Sequence, residues 1–205
     1  EAAWGVEPTE KFVLELIEVL KRTYKIDTNR IYLGGHSMGG YGTWTIGGRN
    51  ADLFAGLCAF AGAATPYRDE NKAPNSLVEG LLPNLRNVPI WVYHSRDDPR
   101  VDFPTNQLAV DTLEKLNQQY GGYVHHFHAV AKRGHDFPDP KPPLEWVAKN
   151  PRDPRPKKVV WQPYRPWKRM FYWVLWEKPQ PKSILVAEIK APNVLDVTVV
   201  DAKEP

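Results

Sequence analysis

A serine hydroxyl attacks a carbonyl carbon efficiently only when a histidine removes its proton and a carboxylate orients that histidine. All of these residue types occur here in stretches that read as loops. Ser37 centres the Gly-x-Ser-x-Gly pentapeptide Gly35-His36-Ser37-Met38-Gly39, with Gly40 behind it. Two carboxylates, Asp97 and Asp98, follow within Ser95-Arg96-Asp97-Asp98-Pro99-Arg100-Val101. His135, preceded by Gly134, comes last in the run Ala131 to Phe137. Serine, acid and histidine in that order fit an acyl-transfer site whose parts sit on successive strand ends. The Met38 backbone N–H, next to the serine, would supply one donor to the oxyanion. The pentapeptide alone would equally describe a glycine-rich turn, so the surrounding elements decide.

Those elements alternate. Apolar residues Phe12, Val13, Leu16, Ile17, Val19 and Leu20 recur at helical spacing from Thr9 to Tyr24, with Thr9 placed as the cap. Arg30 to Leu33 reads as the strand feeding the serine, and Met38 to about Gly48 as the helix leaving it. A serine at such a turn is held in strained dihedrals, and glycines two residues before and after it leave room for the bend. Gly47 and Gly48 either allow close packing on the sheet or end the helix. Gly56–Phe60 and Pro89–His94 are short apolar runs of the kind buried on both faces of a parallel sheet. The long connection Thr65–Asn87 between those two runs is expected to hold a short helix at Ser76–Leu82, and a helix over Phe103–Tyr120 and a strand over Tyr123–Val130 follow. Strands alternating with helices imply an α/β fold with right-handed crossovers. Both acids and His135 then fall just past strand ends, on the face where such sheets place their ligands.

After Lys149 the composition changes. Residues 150–158 are proline-rich and basic and read as a connector. Beyond them, Val159–Trp161, Met170–Glu177, Ile184–Ile189 and Val194–Val200 look like strands of a partial β-rich segment. Its aromatics include Trp161, Phe171, Tyr172, Trp173 and Trp176, and alternation from Phe171 to Trp176 puts those of that strand on both faces, which favours burial over sugar stacking. The expected division is 1–149, 150–158 and 159–205.

Of 205 residues, 42% are hydrophobic and 25% charged, an ordinary globular composition. A net charge of +3 without a basic aromatic motif gives no reason to expect a nucleic-acid partner. No apolar run approaches the roughly 20 residues that span a bilayer. Cys58, the single cysteine, sits among apolar neighbours as a small buried hydrophobe. His126 and His128 share a strand face, yet no carboxylate or cysteine stands at ligand spacing, so no metal is expected. His36 reads as a packing neighbour of the site, Asp136 as a turn cap ahead of a support for His135, and Arg96 and Arg100 as solvated charges.

On these motifs the chain resembles the C-terminal two-thirds of an α/β-hydrolase catalytic domain, of the esterase and prolyl-oligopeptidase-like superfamily. The likeness spans about Thr9 to Trp146 and is nearest to polyhydroxybutyrate-depolymerase-like and feruloyl-esterase-like proteins with an extra C-terminal β segment. It implies a three-layer α/β-hydrolase sandwich and a triad of Ser37, Asp98 and His135. In such proteins the acid stands four residues after a histidine that closes its strand and three before a valine. His94 and Val101 both point to Asp98, leaving Asp97 second; Asp102 stands where proline is common. The resemblance also implies cleavage of a small-molecule or polymer-linked ester without a cofactor, with a peptidase or an inactive polysaccharide-binding relative as alternatives. The chain opens on Glu1, so the first strands of the domain, the second oxyanion donor and any secretion signal are expected upstream.

Overall fold

The computed structural model describes residues 4–201; the outermost ends of the first and last expected segments lie outside that range. Chain order is α1 (Glu7–Thr23), β1 (Tyr32–His36), α2 (Met38–Arg49), β2 (Gly56–Phe60), β3 (Pro66–Arg68), β4 (Pro74–Leu77), β5 (Ile90–Ser95), α3 (Phe103–Tyr120), β6 (His125–Val130) and α4 (Lys141–Val147). The C-terminal strands are β7 (Lys158–Trp161), β8 (Met170–Phe171), β9 (Val174–Leu175), β10 (Ser183–Ala191) and β11 (Val194–Asp201).

A parallel sheet in the order β1-β2-β5-β6 carries the site. Its inner strand β2 is buried at every residue, which is why that stretch of sequence is apolar without alternation. The pleat sends Leu57 and Ala59 into one cluster with Trp44, Ile90, Val92 and Leu113. Cys58 and Phe60 point the other way, into a cluster with Tyr93, Val147 and Trp146 of α4. Helices therefore cover both faces, and the structure is the expected three-layer α/β arrangement. No helix among the described residues is long and apolar enough to cross a membrane.

A separate antiparallel sheet, β11-β10-β7, follows. Val159, Trp161, Phe171, Val174, Leu185 and Ala187 join Trp44 and Leu57 in one buried cluster. The aromatics of this segment are thus spent on packing: Trp161 is 1% and Phe171 0% exposed.

Several local expectations change. Helix α1 begins earlier, with Val6 as its N-cap and no side-chain cap bond, because Pro8 suits a first turn whose N–H groups have no acceptor. Thr9 lies inside that helix. The stretch 76–82 is not a helix. Pro74–Leu77 pairs with Pro66–Arg68 as a hairpin, and a tight 3₁₀ turn over Leu82–Asn87 follows. Residues 170–177 do not form one strand, since Tyr172 takes a left-handed φ of 53° and folds β8 back on β9. Helix α2 runs through Gly47 and Gly48 to Arg49, and a Cβ on Gly47 would meet the Leu57 side chain at 2.8 Å. Close packing is the reason for that glycine. Helix α4 was hidden by Pro140, Pro142 and Pro143, all of which sit where backbone N–H groups need no partner.

Candidate active site

Ser37 links β1 to α2 with φ 56° and ψ −117°, a backbone that L-residues avoid. Its N–H donates to Phe60 O at 2.8 Å, tying the bend to β2. A serine at a helix N-cap ordinarily turns its hydroxyl back onto the first turn. Here it makes no cap bond and contacts His135 instead. Gly35 is required because a Cβ there would run into the backbone of Gly39, while a Cβ on Gly39 would meet nothing within 4 Å. The second tight glycine is Gly40, whose Cβ would lie 2.8 Å from Phe60 O and Gly62 Cα. The expected steric role of Gly39 therefore belongs to its neighbour. Met38 opens α2, where N–H groups lack intrahelical acceptors; its side chain is 60% exposed.

Asp98 follows β5 and His135 follows β6. His135 Nδ1 lies 2.8 Å from Asp98 Oδ2, and His135 Nε2 lies 2.8 Å from Ser37 Oγ. The Asp98 side chain is fully buried and that of His135 is 9% exposed. Oδ1 of Asp98 accepts from the Arg100 and Val101 N–H groups at 2.8 and 3.1 Å. Burial would raise the Asp98 carboxyl, but the His135 hydrogen bond and those two N–H groups outweigh it and hold it below the usual range. An ionised carboxylate thus faces the imidazole.

Asp97 does not touch His135. Its Oδ1 accepts from Ser95 Oγ at 2.6 Å and from the N–H groups of Arg133 and Gly134 at 3.1 and 2.9 Å, so it clamps the loop that carries the histidine. Those bonds, from Ser95 first, lower its pKa. Asp136 is not a turn cap: Tyr93 Oη donates to it at 2.5 Å and Arg133 Nε at 2.8 Å. Burial and that bond push the Tyr93 phenol up to about 12. His36 packs beside the site as expected, its ring 4.9 Å from that of His135 and its Nε2 donating to Asp136 O at 3.0 Å. His126 and His128 lie against the Trp91 ring, the nearer at 3.9 Å. Arg96 and Arg100 are exposed, with Arg96 over the Phe103 ring. Two buried residues that sequence reasoning did not assign to the site, His94 and Asn106, stand behind Asp98. A polar residue one turn into an amphipathic helix carries no signal that would single out Asn106.

A parallel sheet feeding a strained serine turn, with acid and histidine on later strand ends, defines an α/β-hydrolase. The phospholipase/carboxylesterase family model of that superfamily matches residues 4–138, and the chain belongs to this family. A bifunctional acetylxylan esterase/xylanase of Neocallimastix patriciarum is 30% identical over 154 residues, 65% of this chain but 22% of that protein. The chain thus spans about a fifth of that relative's length. Two solved structures share the fold at a TM-score of 0.51, each covering 72% of this chain and 68% of the other. They are a phospholipase/carboxylesterase from Dyadobacter fermentans at 17% identity and a fluorophosphonate-binding serine hydrolase of Staphylococcus aureus at 15%.

Proposed function

We propose that this chain hydrolyses carboxylic esters through an acyl-enzyme on Ser37. The observation that carries the reading is the unbroken line from Asp98 Oδ2 through the His135 ring to Ser37 Oγ, with both distances at 2.8 Å. His135 Nε2 takes the hydroxyl proton as Oγ attacks the ester carbonyl. The resulting imidazolium is stabilised by the Asp98 carboxylate, and the Met38 N–H donates to the oxyanion. Collapse expels the alkoxide, which leaves as alcohol with the proton from His135. Water then attacks the acyl-enzyme by the same sequence, with His135 again as base, releasing the acid and free serine. These steps use side chains, backbone and water alone.

Membership of a carboxylesterase family and the similarity to an acetylxylan esterase favour an ester over an amide, and an acyl group borne on a polymer is the substrate class that relative suggests. The alternative of a polysaccharide-binding face on the aromatic tail has less surface to draw on, because Trp161 and Phe171 are buried. We read residues 1–149 as the catalytic part and the β-rich segment from 159 as a brace packed on it. Incubation with a fluorophosphonate probe and p-nitrophenyl acetate tests the reading. Labelling and hydrolysis should occur in the wild type, and Ser37→Ala should lose both while keeping its circular dichroism. A folded wild type that neither labels nor turns over would overturn it.

A further inference from the structure

His94 is fully buried at the end of β5, and the triad leaves it without a task. Its Nε2 lies 3.2 Å from Asp98 Oδ2 and 3.1 Å from Val101 O, while its Nδ1 lies 2.9 Å from Asn106 Nδ2. We propose that Asn106 and His94 form a tautomer-locked pair that holds the Asp98 carboxylate in register with His135, which makes His94 a positioning residue for proton transfer. The inference rests on the triad reading above.

The protons can be placed by elimination. Gly62 O can only accept, and it lies 2.7 Å from the Asn106 amide, so the amide atom facing it must be the NH₂ group. One amide hydrogen serves Gly62 O, and the other points at His94 Nδ1, which must then be bare. At the opposite side of the ring, Val101 O can only accept, so Nε2 must carry a proton. Both ends of the ring demand the same neutral tautomer, Nε2–H, independently. Burial lowers the pKa of His94 and keeps the ring neutral against the pull of Asp98 and Asp102. The single Nε2–H of His94 is shared between Val101 O and Asp98 Oδ2, so Oδ2 accepts from both His94 and His135, and Oδ1 receives two backbone N–H groups. A carboxylate saturated in this way cannot rotate about its last bond without losing donors in a water-free setting. The added donors also lower the basicity of the carboxylate, so the Nδ1 proton stays on the His135 imidazole while its Nε2 exchanges a proton with Ser37 and the leaving group.

The partner choice makes two substitutions informative. Glutamine at 94 places its amide nitrogen near the Nε2 position and keeps a donor for Asp98. Asparagine at 94 places its oxygen near the Nδ1 position, which satisfies Asn106 but leaves Asp98 without that donor. With p-nitrophenyl acetate, His94→Asn should lower kcat roughly 10²-fold at unchanged KM, whereas His94→Gln should keep kcat within about tenfold of wild type. Nitrogen NMR of ¹⁵N-histidine-labelled wild type should show His94 as a neutral ring with bare Nδ1 and protonated Nε2, assigned against the His94→Gln spectrum. Wild-type kcat in His94→Asn, equal losses in both folded variants, or a protonated Nδ1 would each overturn the proposal. Should the wild type itself neither label nor hydrolyse, the triad reading fails, and the tautomer read by NMR then decides the Asn106–His94 pair alone.

Discussion

Asp97 and Asp98 are neighbours in the chain, follow the same strand, and have different tasks. Asp98 turns inward and accepts from its own loop and from His135; Asp97 accepts from Ser95 and from the backbone on either side of the Arg133–Gly134 bond. Residue types alone could not separate them, because both reach the carboxyl-end face. The spacing from His94 and to Val101 pointed to Asp98, and of the two it is Asp98 whose Oδ2 lies 2.8 Å from His135 Nδ1. We expect Asp97→Ala to lower kcat about tenfold or more by freeing the His135 loop. Asp97→Asn, which keeps an acceptor oxygen, should cost clearly less; equal losses would show that charge and not loop placement matters. The depressed pKa of Asp97 also sets a sign. Its charge favours the closed loop above the ordinary aspartate value of about 3.9, and that help disappears as pH falls through the lower folded value. Amide exchange at Gly134, followed against pH, would register the release.

At the scale of elements, the β1–α2 junction was legible because its signal is local: an apolar approach, a glycine-flanked serine and a helix after it. What the pattern could not tell was which glycines bear the packing, since that depends on how near the α2 backbone comes to β2. A Cβ on Gly40 would press on Phe60 O and Gly62 Cα, both backbone, while Gly39 faces open space. Gly40→Ala should therefore destabilise by about 1–3 kcal/mol through overpacking that backbone atoms cannot relieve. Gly39→Ala should change stability by less than about 1 kcal/mol, in the stabilising direction expected of alanine in a helix. Urea melts of the two variants decide the matter, and an equal loss in both would contradict the packing assignment. Helix α3 announced itself by period, and strands β2 and β5 by short unbroken apolar runs. Helix α4 did not, because its prolines read as loop punctuation while occupying sites that need no N–H, and the β3–β4 hairpin lay in a stretch read as a long connection with a short helix.

Across the whole molecule, the C-terminal segment is attached by more than apolar contact. Glu10 of α1 has a fully buried carboxylate, which accepts from Asn50 Nδ2 at 2.9 Å, from Arg165 Nε at 2.9 Å and from Arg49 Nη1 at 3.4 Å. One charge thus ties α1, the end of α2 and the stretch between β7 and β8. Pairs separated by as many as 155 positions carry no periodic trace, so sequence could suggest burial of the tail aromatics but not this knot. Glu10→Ala would leave the Arg49 guanidinium, 6% exposed, without its carboxylate. Removing one partner of a buried ion pair costs about 3–5 kcal/mol, and a loss of that size is expected here in chemical denaturation. Because Trp161 and Phe171 share a core with Trp44 and Leu57, the damage should not stay local. Tryptophan fluorescence and far-ultraviolet circular dichroism should follow one coincident transition in the wild type and one, at lower denaturant, in Glu10→Ala. Two separated transitions, with only the tail released in the variant, would show instead that the C-terminal sheet folds apart from the parallel sheet and that the Glu10 contacts merely dock it.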